Sequence, residues 1–346
     1  MKDRPMTEQT AAAAPSVPTL LERFIAYSRD FYTFHACRAA MELKITEHLS
    51  SGPLSVDDLA SRAKTHAPSL FRLLRWLETV GVFKQVSSGV FANTADSEFL
   101  RKEAPGPLWT FLRTSFVCGF YRAFECLPDS IRSGRVAFEL AHGCTLWEYL
   151  GRDPERAALF HQQIEQIAML EGVTSAVTAA YDWSRFAVIA DIGGGIGAQL
   201  VDILNSHASS RGILFDQPDV VARAIAHDRM ERVSGSFFES VPAGADAYIL
   251  RNVIHDWLDR DAGAILRVIR AAAKPSSRVI LIERIIPETS AFDPGKLSDL
   301  LMLAVAGGQE RTAAEYQQLL ENTGLELEQI VPTPAGLNLI ISRPRN

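Results

Sequence analysis

From Phe186 onward the chain alternates short apolar runs with helix-patterned segments, and this alternation decides the fold class. The runs are AVIADIG, GILFD, ERVSGSF, DAYILR and RVILIERI. Strands joined by crossover helices lie parallel, with helices on both faces of the sheet. The chain closes with LELEQIVPTPAGLNLIISR, two strand-like runs around a Pro-Gly turn, which adds an antiparallel hairpin. No internal repeat is present. The expected fold class is α/β, with a Rossmann-like sheet.

The first of these strands runs into Gly193, Gly194, Gly195, Ile196, Gly197 and Ala198, a match to G-x-G-x-x-G/A. Asp216 ends the next run, at the spacing from which a carboxylate reaches a ribose diol. A dinucleotide and S-adenosylmethionine both fit such a loop. Asp191, at the loop's entry, favours the second: a carboxylate there repels a pyrophosphate and attracts a methionyl ammonium. One sheet with a closing hairpin also suits a single nucleoside better than two mononucleotide halves.

Upstream the pattern is helical. Residues 1–18 are expected to be disordered. Thr19 to Leu49 carries apolar residues at helical spacing. The next stretch reads as a helix capped near Ser55, a helix from Pro68 to Val80 and a hairpin over Val82 to Phe91, which is winged-helix grammar. The helix that would enter a DNA groove carries Leu70, Phe71, Leu73, Leu74, Trp76, Leu77 and Val80, with only Arg72 and Arg75 as bases. Reading base edges needs hydrogen-bonding side chains, and the net charge of −6 opposes a polyanion. No nucleic-acid partner is expected. Residues 106–181 read as mainly helical and rich in aromatics.

Cys37, Cys118, Cys126 and Cys144 form no CxxC pair, so neither a zinc site nor a disulfide framework is expected. Histidines 35, 48, 66, 142, 161, 207 and 227 show no ligand spacing, and no metal is expected. The N-terminus lacks a secretory apolar region, and no segment is long and apolar enough to span a membrane. A cytoplasmic protein without membrane contact is the expectation.

Five motifs, DIGGGIG, FDQPDVV, HDW, IERIIPE and GGQERT, follow one another in this order. Through them the chain, from about Thr19 to its end, resembles the plant-type small-molecule O-methyltransferases that also occur in bacterial secondary metabolism. The resemblance implies a winged-helix dimerisation domain over 19–105 and a methyltransferase domain over 106–346, with a helical substrate-pocket segment over 106–181. It implies a homodimer in which the N-terminal domain closes part of the partner's pocket. S-Adenosylmethionine would be held by Asp191, Gly193, Gly195, Asp216, Ser236, Phe237 and Arg251. His255 would be the base, flanked by Glu283 and Glu310. Phe120, Trp147, Phe160, Ile164, Asp256 and Met302 are the candidates on the acceptor side. Three positions depart from the family: Ser236 replaces an aspartate, Arg251 a lysine, and Ile164 a methionine.

The residues alone leave other roles open. His255 or Asp256 would suit a helix start, with Trp257 packing that helix on the sheet. Glu283 could pair with Arg284 or Arg311, and Glu310 could cap a helix near Thr312. Met302 at helical spacing would equally suit a core. The chemistry favours a phenol, an enol or a carboxylate as acceptor. A phenol at ~10 and an imidazole at ~6.5 differ by about 5 kcal/mol in proton affinity, and an aliphatic alcohol lies much further away. The runner-up is a relative repurposed for decarboxylation, hydroxylation or a pericyclic step. A winged-helix regulator is the third reading.

Overall fold

The computed structural model describes residues 17–104, 108–168 and 172–345. The disorder expected for residues 1–18 lies outside the described residues as far as residue 16, and Val17 and Pro18 instead open the first helix. The chain divides into two compact units, one up to Leu112 and one from Arg113.

The first unit holds the helices Val17–Glu42, Val56–Ala63 and Ala67–Thr79 and a small antiparallel sheet. Its strands are β1 (Leu54–Ser55), β2 (Phe83–Ser87) and β3 (Val90–Asn93), in the order β1-β3-β2. Ser55 caps its helix by accepting from the Asp58 N–H at 3.1 Å. The helix Ala67–Thr79 turns Leu70, Leu74 and Leu77 into the core of this unit, so its apolar side is spent on packing. Helix Val17–Glu42 differs. Leu21, Phe24, Ile25, Tyr27, Phe31 and Tyr32 are exposed on it. With Trp76, several of them line an apolar groove of about 630 Å³.

The second unit is built on a seven-stranded sheet in the order β6-β5-β4-β7-β8-β10-β9. Its strands are β4 (Val188–Ile192), β5 (Arg211–Asp216), β6 (Met230–Ser234), β7 (Ala247–Arg251), β8 (Arg278–Glu283), β9 (Leu325–Pro332) and β10 (Asn338–Pro344). The first five are parallel; β10 runs antiparallel to β8, and β9 to β10. Successive side chains on a strand point to opposite faces. Tyr248 and Leu250 of β7 therefore join one core, with the helices Asp259–Ala272 and Ala313–Glu321, while Ala247 and Ile249 join the other. Both faces are buried, which is why the strands read as continuous apolar runs. The five parallel strands end at one edge, and the chain order reverses across β4, between β5 and β7. Ligands bind outside such a point.

Among the described residues, no helix is long and apolar enough to cross a membrane.

Candidate active site

At the end of β4 the backbone turns through Gly193 and Gly195, both in the left-handed region at φ 68° and 61°. L side chains rarely adopt that conformation. A Cβ on Gly193 would also lie 2.9 Å from Val253. Beneath the loop, Asp191 is buried and neither carboxylate oxygen has a hydrogen-bond partner. Burial pushes its pKa up to about 7, against the pull of the Arg251 guanidinium. Asp216, at the end of β5, accepts from the Gly195 N–H at 2.8 Å and the Gln217 N–H at 2.7 Å. Each bond occupies one lone pair per oxygen, so the carboxylate is oriented and still able to accept.

Arg251 ends β7 and donates from Nη1 to Thr174 and Gln199, each at 3.2 Å. Ser236 is already engaged: its Oγ accepts from the Phe238 N–H at 3.3 Å. The Phe237 ring lies beside Gly193, 3.6 Å from where a Cβ would be, and meets Trp257 edge-on.

Past β7 the chain passes through Asn252 at φ 51°, a conformation that asparagine tolerates better than most residues. It then forms the short 3-10 turn Ile254–Asp256. This corrects one sequence expectation. The following helix starts at Asp259, so neither His255 nor Asp256 opens it. Glu283, at the end of β8, is fully buried, and its Oε1 accepts from the Val253 and Ile254 N–H groups at 3.0 and 2.8 Å. It pairs with neither Arg284 nor Arg311; Arg311 pairs with Asp259. Glu310 caps nothing, because Thr312 and Glu315 form the capping box of the helix that follows.

Instead, Glu310 Oε1 lies 3.0 Å from His255 Nδ1 and accepts from Ser298 Oγ at 2.7 Å. An ionised carboxylate only accepts, so Nδ1 carries the hydrogen and Nε2 is left to exchange a proton. Asp256 Oδ1 lies 3.5 Å from that Nε2. Burial pulls the His255 pKa down, but the charge of Glu283, the Glu310 bond and Asp256 outweigh it and hold the imidazole up at about 10. Burial pushes Glu283 up to about 7. Glu310 goes the other way: burial raises it, yet its bonds from His255 and Ser298 bring it below the usual range.

The ligand atoms of His255, Glu283 and Glu310 lie within 4.8 Å of one another, a set by whose spacing a metal ion could also be held. Histidine spacing alone offered no hint of it. The bonds already made orient an imidazole: Oε1 of each glutamate is taken, by backbone N–H groups or by His255 and Ser298.

The acceptor-side candidates gather only in part. Phe160 meets Phe120 and Trp147 edge-on, at 6.5 and 6.1 Å between centroids. Ile164, one helical turn on, is half exposed. Met302 opens a π-helical stretch, Met302–Ala306, which continues the helix Pro294–Leu301 and touches both the His255 turn and the helix Phe120–Glu125. Such stretches are frequent at functional sites. Glu165 and Arg223 pair at 3.1 Å and tie the helix Pro154–Ala168 to the cofactor edge. Sequence reasoning missed Ser298, and it weighed Arg311, the arginine of GGQERT, only as an ion-pair partner of Glu283.

A nucleoside cradle and an oriented histidine on one sheet edge are the arrangement of a methyltransferase that draws on a nucleoside-linked methyl donor. The chain belongs to the O-methyltransferase family: the sequence model of the O-methyltransferase domain matches residues 124–326, and that of the O-methyltransferase dimerisation domain residues 25–103. Mitomycin biosynthesis 6-O-methyltransferase of Streptomyces lavendulae is 36% identical over 96% of this chain and 95% of its own. The structure of the mitomycin 7-O-methyltransferase MmcR superposes with a TM-score of 0.86, at 35% identity over 94% of this chain and 98% of that one. The O-methyltransferase NcsB1 of neocarzinostatin biosynthesis, solved with S-adenosylmethionine and 2-hydroxy-5-methyl naphthoic acid, gives 0.78 at 33% identity over 90% and 96%. The protein is a transferase that uses S-adenosylmethionine. Its residues fit that group: Asp191 offers two orphaned buried oxygens to an ammonium, and Asp216 offers free lone pairs to a diol.

Proposed function

We propose that the protein methylates a phenolic or enolic hydroxyl of an aromatic small molecule, with His255 as general base. The observation that carries this is the 3.0 Å contact of His255 Nδ1 with Glu310, which leaves Nε2 as the proton-accepting atom on the cofactor's sheet edge. Asp191, Gly193, Gly195, Asp216 and Phe237 hold the cofactor, with Arg251 as the charge beside Asp191; Ser236 shapes the loop next to them. When bound, S-adenosylmethionine supplies a methyl group on a positively charged sulfur, and that charge disfavours an imidazolium nearby. Phe120, Trp147, Phe160, Ile164 and Met302 orient the acceptor ring, and Asp256 takes a hydrogen bond beside the reacting oxygen.

His255 accepts the hydroxyl proton at Nε2. Free imidazole and phenol differ by about 5 kcal/mol, and the carboxylates around His255 raise its proton affinity toward that of a phenol, which narrows the gap. A general base contributes typically ~10²–10⁴-fold, and positioning supplies the remainder. Incubation with methyl-labelled cofactor and a panel of phenols, naphthols and enols tests the reading. Label is expected in an aromatic ether; label retained in the cofactor while the panel is altered otherwise would favour the repurposed class.

The protein acts as a homodimer through its N-terminal unit, whose long helix exposes the row from Leu21 to Tyr32. Rows of this kind mark interfaces. Light scattering at micromolar concentration should give twice the chain mass; the mass of one chain would refute the dimer.

A further inference from the structure

Besides Glu283, a second part of the chain grips the His255 turn. A Cβ on Gly308 would collide with the His255 carbonyl oxygen, so the loop presses directly on that backbone. The Gln309 N–H donates to the same carbonyl at 2.8 Å. Arg311 follows. It is wholly buried, and its guanidinium spends all five N–H donors at this place. Nη1 donates to the carbonyls of Ile254 at 3.2 Å and Gln309 at 3.4 Å. Nη2 donates to the Trp257 carbonyl and to Asp259 Oδ1, both at 2.8 Å, and Nε to the same Oδ1 at 3.0 Å. The residues held, Ile254, Trp257 and Asp259, bracket His255 on both sides. Arg311 is itself anchored, because its carbonyl accepts from the Ile286 N–H at 3.0 Å, just beyond the strand that carries Glu283.

We propose that Arg311 is a positioning residue for methyl transfer: its fork clamps the segment from Ile254 to Asp259 so that the His255 ring stays aimed along its bond to Glu310. This rests on the reading of His255 as the base. Stability alone gives a weak reason for the arginine, since buried ion pairs are often matched by apolar residues of similar volume. The fork gives a specific one. Carbonyls three residues apart and a carboxylate two residues further on are reached together by a planar guanidinium and not by an ammonium. The groups that set the His255 proton affinity are Glu283, Glu310 and Asp256, so the part left to Arg311 is geometry.

The test follows the His255 Nδ1 proton by NMR in histidine-labelled protein saturated with S-adenosylhomocysteine, in wild type, Arg311→Lys and Asp259→Ala. No acceptor is needed, so the result does not depend on whether His255→Ala abolishes methyl transfer. In Arg311→Lys the Nδ1 proton should exchange at least tenfold faster, while the amides of β4 and β7 keep their protection and S-adenosylhomocysteine affinity stays within about twofold. Asp259→Ala removes the partner at the exposed end of the clamp and should give a smaller acceleration in the same proton alone. If Arg311→Lys does not fold, Asp259→Ala decides. Exchange unchanged in a folded variant, or accelerated equally at Nδ1 and in the core strands, overturns the proposal.

Discussion

At the ends of β4 and β5 the chain offers a ligand mostly backbone; at the ends of β7 and β8 it surrounds one imidazole with carboxylates. The first region is a tight glycine turn steadied by Asp216, with Asp191 beneath it. It is local, and its few charges have somewhere to go when a ligand arrives. The second region buries Glu283 and Glu310 against His255 with Asp256 alongside, an arrangement costly to desolvate unless a proton is shared among them. Damage to the first region should therefore appear as lost affinity, and damage to the second as lost chemistry.

The sharpest way to break this division is His255→Ala. Methyl transfer should fall by roughly 10²–10⁴-fold, with S-adenosylhomocysteine affinity measured by calorimetry unchanged. Raising the pH should restore part of the rate, because phenolate then forms without a base. A variant that keeps most of its activity at neutral pH would remove His255 from the chemistry.

The converse change is Asp216→Ala. Losing hydrogen bonds to a charged group costs about 1–3 kcal/mol, so the cofactor should bind roughly 5–150-fold more weakly while the titration of His255 stays where it was. An unaltered dissociation constant would mean that the glycine turn alone holds the nucleoside.

A third measurement joins the two regions. Followed by NMR in the free protein, His255 should titrate far above the ~6.5 of imidazole, near the value of about 10 that its carboxylates impose. Its sign is fixed: in the free protein the imidazolium persists through neutral pH, and the positive sulfur of the bound methyl donor is what frees the base there. S-Adenosylmethionine carries a positive sulfur and S-adenosylhomocysteine does not. The first should lower the midpoint more than the second, and equal midpoints would show the two regions to be electrostatically separate.

The smallest effect belongs to Ser298→Ala. Ser298 shares Glu310 Oε1 with His255, so its removal leaves that oxygen more basic toward the imidazole. A hydrogen bond worth about 1 kcal/mol moves the His255 midpoint upward by less than one pH unit. A downward shift would mean that Ser298 orients Glu310 rather than competing for it.

The same contrast explains what could be read from the residues. The cofactor edge was legible because its parts are contiguous: a strand, Gly193 to Gly197, and a carboxylate ending the next strand. The closing hairpin and the parallel order followed from runs of residues in the same way. His255, Glu283 and Glu310 come from three distant segments, and only the order of motifs linked them. The start of the helix after β7 was misjudged because the HDW triplet looks like a helix opening. It is instead a 3-10 turn, held by the Glu283 carboxylate from another strand. Ser298 carries no local pattern at all, and Arg311 stands in GGQERT without a sign of what it holds; their contacts exist only once the helix Pro294–Leu301 and the loop after it have been laid against the sheet.

In the π-helical stretch Met302–Ala306 each backbone hydrogen bond spans one residue more than in an α-helix. Ser298 stands before it and Glu310 after it, yet both meet at a single oxygen. The count of residues between them thus sets the phase at which the two ends return to each other, much as the number of teeth sets the meshing of a gear. Exchanging one side chain for another within the span leaves that phase alone. Deleting a residue from the loop after the helix would shorten that return path and carry Glu310 off the imidazole, though no residue of the base itself had been touched. In this segment length is a functional property in its own right, constrained separately from sequence.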